Sequence, residues 1–291
     1  MLRQEFIHHL EHVCSEIENK PVKLRAYEKI YGGDVNETYR LAMTDKDYFI
    51  KINVRERLPM FEVEAESLIR LTKTYSFRIP VVFEVGEFED QSYLLMEYIE
   101  HLEGVSNPEN FAESLVKLHK NTSDKYGLDF DNYIGSLPQY NAFKDNWVDF
   151  YIENRLQYQI NIARQKGAIP DKILHLFDQL YNKIPTIIFQ EKPSFLHGDL
   201  WNGNYFYDLQ GRAVVFDPAI YYGHREVDLA MMSLFGGFDP KIYQIYDELF
   251  PLQKGWKERL KIYQLYPLLV HLNLFGDSYL LPIKDIIKQF I

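Results

Sequence analysis

The run Phe195 to Asn204, FLHGDLWNGN, and the run Val214 to Met232, VVFDPAIYYGHREVDLAMM, decide how this chain is read. Asp199 is followed five residues later by the carboxamide of Asn204. A second carboxylate, Asp217, closes an apolar strand-like stretch. Carboxylate, amide and carboxylate in this order are what a phosphoryl-transfer site needs. One carboxylate accepts the proton of an attacking hydroxyl, and the amide and the other carboxylate hold the metal ions that bridge the phosphates. The spacing therefore predicts Asp199 as base, with Asn204 and Asp217 as Mg²⁺ ligands in an ATP-dependent kinase of a small molecule.

Upstream, Lys51 lies in YFIKIN, where strand alternation puts Phe49, Lys51 and Asn53 on one face and Tyr48, Ile50 and Ile52 on the other. A lone strand lysine reads as a solvent-facing charge. Glu64 changes that reading. At helical period it falls within the apolar stripe of Met60, Phe61, Leu68 and Leu71, opposite Glu62 and Glu66. A carboxylate on a packed face needs a partner, and a lysine on the neighbouring strand supplies one. Gly32 and Gly33, between two strand-like stretches, are expected to turn a hairpin whose backbone N–H groups face phosphate oxygens. No Walker A or dinucleotide fingerprint occurs.

Around these residues the first third reads as a helix, the strands Val22 to Tyr31, Glu37 to Met43 and Lys46 to Val54, and a helix from Met60 to Thr72 after Pro59. Strands Val81 to Val85 and Ser92 to Ile99 follow, joined by an acidic turn over Glu87 to Asp90. Beyond Glu100 long helical patterns take over, with Asn107-Pro108 as a helix start and Trp147 to Gln165 as an amphipathic helix ended by Gly167. Asp124 to Asn146 reads as loop, and Asp208 to Gly211 as a hairpin turn. The expected architecture is α+β and two-lobed, a β-rich lobe over 1–99 and a mainly helical lobe over 100–291. The cleft between them is the expected ligand site. Met96, Glu97 and Tyr98, at the junction, are assigned to the nucleotide.

Composition narrows the partners. The 291 residues carry a formal charge of -10, which disfavours nucleic acid or an anionic membrane surface as partner. Cys14 is the single cysteine, so no intrachain disulfide forms. The N-terminal stretch lacks the continuous apolar core of a signal peptide, and the cytoplasm is the default location. His8, His9, His12 and Cys14 read as faces of one helix rather than as a metal site. His197 and Asp228 read as loop-orienting groups, and Arg225 and Glu226, adjacent opposite charges, as locking the segment after Asp217.

HGDLWNGN together with DPAIYYGHREVDLAM resembles the fructosamine kinase (ketosamine 3-kinase) family, a branch of the protein-kinase-like fold related to aminoglycoside and choline kinases. GGDVNETYR, FIKIN, FEVEAESL, GLDFDNYIG and YQLYPLLVHLNLFG are similar to family segments too. The resemblance implies ATP-dependent phosphorylation of the 3-hydroxyl of ketosamines, the sugar adducts of amines, leading to deglycation. It implies nucleotide and metal roles for Lys51, Glu64, Asn204 and Asp217, and the base role for Asp199. Some members have a cysteine in the glycine-rich loop that supports redox-sensitive dimerisation; this chain has none there. Trp201, between base and metal ligand, is expected to line the acceptor pocket. A kinase of an aminoglycoside, a choline-like amine or another sugar stays open as the alternative, as does an inactive binding protein.

Overall fold

The computed structural model describes residues 2–30, 35–101 and 104–291. The chain starts with α1 (Gln4–Glu18), followed by β1 (Leu24–Ile30), β2 (Glu37–Met43) and β3 (Asp47–Val54). Then come α2 (Leu58–Thr72), β4 (Val82–Phe88) and β5 (Gln91–Glu97). Among the described residues these strands form one antiparallel sheet in the order β1-β2-β3-β5-β4.

Period-two alternation gives that sheet two different faces. Tyr48, Ile50 and Ile52 of β3 and Tyr93 and Leu95 of β5 pack with Phe6, Leu10, Val13 and Cys14 of α1 in one core. Leu94 and Met96 of β5 point the other way, into a core shared with Phe61, Leu68 and Leu71 of α2 and with the helical remainder of the chain. Lys51 pairs with Leu94 across the β3–β5 ladder, so its side chain enters the second side. The alternation that buries Ile50 therefore aims Lys51 at α2.

The helical part begins with α3 (Pro108–His119). Asn107 caps it, its Oδ1 accepting from Asn110 N at 3.2 Å, and Pro108 occupies the first turn where no N–H is needed. A short hairpin, β6 (Asn132–Ile134) and β7 (Leu137–Gln139), lies in the stretch expected to be loop. The strands are only three residues each, too short for alternation to show. The expected helix at Trp147 to Gln165 is present as α4 (Trp147–Phe150) and α5 (Tyr158–Gln165), with a π-helical stretch Tyr151–Gln157 between them. Gly167, at φ 68°, ends it. β4 also runs on through Phe88, so the turn is confined to Glu89 and Asp90, with Glu89 at φ 54°.

After α6 (Asp171–Ile187) the chain enters β8 (Ser194–Leu196), the loop with Asp199, then β9 (Tyr205–Tyr207), β10 (Ala213–Val215) and β11 (Tyr221–Gly223). β9 pairs with β10, and β8 with β11. The two quoted runs are thus paired, the β9–β10 hairpin falling in the chain between the paired β8 and β11. The helices α7 (Glu226–Phe235), α8 (Pro240–Leu249), α9 (Trp256–Phe275) and α10 (Leu280–Lys288) complete the lobe. α9 is buried almost all round, which explains its lack of a polar face. No helix among the described residues is long and apolar enough to cross a membrane.

Candidate active site

Two short pairings bring the carboxylates together. Ala219 N donates to His197 O at 2.9 Å, and Phe216 N donates to Asn204 O at 3.2 Å. The segment carrying Asp217 is thereby stitched to the loop carrying Asp199. Asp228, buried at the start of α7, accepts from His197 N at 2.8 Å and Gly198 N at 2.9 Å. His119 Nε2 lies 3.1 Å from the same carboxylate, and His119 Nδ1 lies 2.7 Å from the Tyr246 hydroxyl. With Nε2–H donating to the carboxylate, Nδ1 accepts from the tyrosine. His197 has no capacity left for chemistry. Its Nε2–H donates to Phe216 O at 3.1 Å and its Nδ1 accepts from Asp199 N at 3.3 Å, while burial pushes its pKa down.

Lys51 reaches the same place from the sheet. It is 4% exposed, and its Nζ donates to Glu64 Oε1 at 2.6 Å and to Asp217 Oδ1. Strand lysine, helix glutamate and loop aspartate form one charge cluster around the buried ammonium, with the Asp217 carboxylate open to the cavity. The surrounding carboxylates hold the ammonium charged, and burial pushes the Glu64 carboxyl upward. Burial, with Asp217 beside it, also pushes Asp199 up to about 7.

Asn204 Nδ2 donates to Asp199 O at 2.8 Å and Asp199 Oδ2 at 3.2 Å, and lies 3.4 Å from Asp217 O. Three oxygens around one nitrogen fix the amide's orientation and leave Asn204 Oδ1 without a hydrogen bond among the described residues. The Asp217 carboxylate and the free amide oxygen of Asn204 are oxygen donors of the kind a hard divalent cation takes. Burial raises Asp199 most, and the Asp217 charge that adds to it is what a cation at Asp217 would offset. The residues fit Mg²⁺. Asp217 sits at φ 55°, a left-handed conformation that an aspartate tolerates better than most side chains.

Lys51, Glu64, Asp199, Asn204, Asp217 and Trp201 all line one cavity of about 500 Å³. Met96, Glu97 and Tyr98 lie outside its wall. Met96 is buried in the core, Glu97 pairs with Arg78, and the Tyr98 ring lies 4.7 Å beneath the Arg40 guanidinium. Gly32 and Gly33 lie outside the described residues. Arg225 and Glu226 do not pair with each other. Arg225 Nη2 bonds Glu191 at 2.8 Å and Glu226 bonds Arg259 at 2.6 Å, because successive residues at a helix start point in different directions. The cavity lining also includes Tyr133, Ile134, Gly135, Phe235 and His271, to which the sequence reading assigns no site role. These residues are aromatic or apolar and come from distant segments, so no spacing marks them.

The sequence profile of the fructosamine kinase family matches residues 6–291. A probable ketoamine kinase of Enterococcus faecium is 40% identical over 263 residues, covering 90% of this chain and 94% of that protein. Among solved structures, a putative fructosamine-3-kinase from Haemophilus somnus superposes with a TM-score of 0.87 at 33% identity, covering 97% of this chain and 96% of that one. An aminoglycoside phosphotransferase superposes with a TM-score of 0.65 at 15% identity over 98% of this chain and 99% of that one, which shows a shared kinase-like fold.

Proposed function

Because this chain belongs to the fructosamine kinase family, we propose that it transfers the terminal phosphoryl group of ATP to the 3-hydroxyl of ketosamines. The observation that carries this is the convergence of Lys51, Asp199, Asn204 and Asp217 at one end of a cavity that continues past Trp201. Residues 1–99 serve the nucleotide and residues 100–291 the metal and acceptor.

Lys51, held by Glu64 at 2.6 Å, binds phosphate oxygens. Asp217 and the Oδ1 of Asn204 hold magnesium, which when bound neutralises charge on the transferring phosphoryl group. Asp199 accepts the proton of the 3-hydroxyl as its oxygen attacks phosphorus. The amide of Asn204, 3.2 Å from Asp199 Oδ2, keeps that carboxylate aimed. The face of Trp201 packs on the carbons of the acceptor and fixes the hydroxyl near the base. Gly32, Gly33, Met96, Glu97 and Tyr98 are assigned to contacts with the nucleotide.

The test is ADP release with Mg-ATP over fructosyl and ribulosyl amines, aminoglycosides, choline and free sugars. Ketosamines are expected to be the best acceptors. A clear preference for choline or an aminoglycoside would retain the kinase chemistry and overturn the substrate.

A further inference from the structure

The cavity that holds Asp199 does not end at Trp201. It runs on to Phe235 at the end of α7, to His271 and Phe275 on α9, and to Tyr279. Their rings form a connected series. Ring centroids lie 6.3 Å apart for Trp201 and Phe235 and 4.8 Å for Phe235 and His271. His271 is 5.3 Å from Phe275 and 5.1 Å from Tyr279.

Phe235 and Phe275 are 39% and 53% exposed. Neighbouring aromatic rings left in water around a cavity mouth mark a place where something apolar binds. No described residue lining this end carries a charge. Among the described lining residues the charged side chains are Lys51, Glu64, Asp199 and Asp217, all at the catalytic end. His271 Nδ1–H donates to Pro267 O at 2.8 Å, and burial pushes its pKa down, so it presents a neutral ring.

We propose that this aromatic end is the subsite for the nitrogen substituent of the acceptor, and that it selects ketosamines whose substituent is apolar or aromatic over those with a carboxylate beside the nitrogen. This rests on the ketosamine reading above. With the 3-hydroxyl at Asp199, the nitrogen is three bonds from the reacting carbon and its substituent extends past Trp201. A protonated secondary amine is attracted to ring faces, and an alkyl or aryl group covers the exposed phenylalanines. A carboxylate there would lose water without gaining a cation.

The experiment compares kcat/KM with Mg-ATP for adducts of one sugar with benzylamine, hexylamine and glycine. The benzyl and hexyl adducts should exceed the glycine adduct by at least about tenfold, the scale set by a few methylenes in an apolar pocket. Phe235→Ser and Phe275→Ser, at positions already partly in water, should shrink that ratio. Equal values, or a better glycine adduct, would overturn the subsite and leave ketosamine phosphorylation intact; the wild-type series decides this even if a variant fails to fold. Turnover of no adduct would instead overturn the ketosamine reading and the subsite with it.

Discussion

Gly198 packs so closely on Ala219 that a methyl group at position 198 would collide with the Ala219 carbonyl oxygen. Gly198 also sits at φ 82°. This contact lies between the two carboxylates, one residue before Asp199 and two after Asp217. Gly198→Ala should therefore destabilise the fold by more than about 1 kcal/mol and lower turnover, both by displacing the Asp217 segment. Thermal melting and a steady-state assay check it. A variant with unchanged melting point and kcat would mean the two segments are not held by this contact.

Lys51 and Glu64, 2.6 Å apart on β3 and α2, should behave as one unit. In a double-mutant cycle on kcat/KM with Lys51→Met and Glu64→Gln, the second substitution should cost far less once the first is made. A coupling energy of about 0.5–3 kcal/mol is expected for residues in contact. Strictly additive losses would show that Glu64 does not position the lysine.

Asp199 and Asp217 should separate by phenotype. Asp199→Asn should lower kcat by about two to four orders of magnitude, the contribution of a positioned base, with Mg-ATP affinity nearly retained. Asp217→Asn should weaken Mg²⁺-dependent nucleotide binding in a calorimetric titration. Near wild-type turnover for the first, or unchanged Mg-ATP affinity for the second, would remove that residue from its role.

Much of this was legible because charge and apolar periodicity disagreed at single positions. Glu64 on a buried stripe called for Lys51, and the structure joins them. The HGD and DPA runs are contiguous, so their chemistry survives reading in one dimension. The β6–β7 hairpin was missed because three-residue strands carry no periodic signal. Arg225 and Glu226 do lock the segment after Asp217, but their partners, Glu191 and Arg259, lie more than thirty residues away in sequence and carry no local signal. The aromatic cavity wall is assembled from α7, α9 and the segment after it, and each ring alone reads as core.

His224 sets an acid limit on stability. It is buried, its ring centroid lies 5.4 Å from that of Tyr263, and its Nε2 lacks a hydrogen bond among the described residues. Glu191 lies 3.7 Å away but is engaged by Arg225. Burial first, then Arg225 and Arg259, push the imidazole down to about 3. An unfolded histidine binds its proton near pH 6.5, so the native state holds fewer protons between about 6.5 and 3. Stability present above about pH 6.5 is lost as pH falls through that window. Denaturant midpoints of His224→Phe should fall less steeply than wild type between pH 7 and 5; parallel curves would contradict this.

The most direct measurement of the central claim is the position of the phosphate. Incubating the protein with Mg-ATP and a fructosyl-amine, then recording ³¹P–¹H correlations of the product, should place phosphorus on the oxygen of carbon 3. Conversion should fall with Asp199→Asn by the same two to four orders of magnitude or so as kcat. Phosphate on any other oxygen, or no transfer to the ketosamine while another hydroxylated amine is phosphorylated, would contradict it.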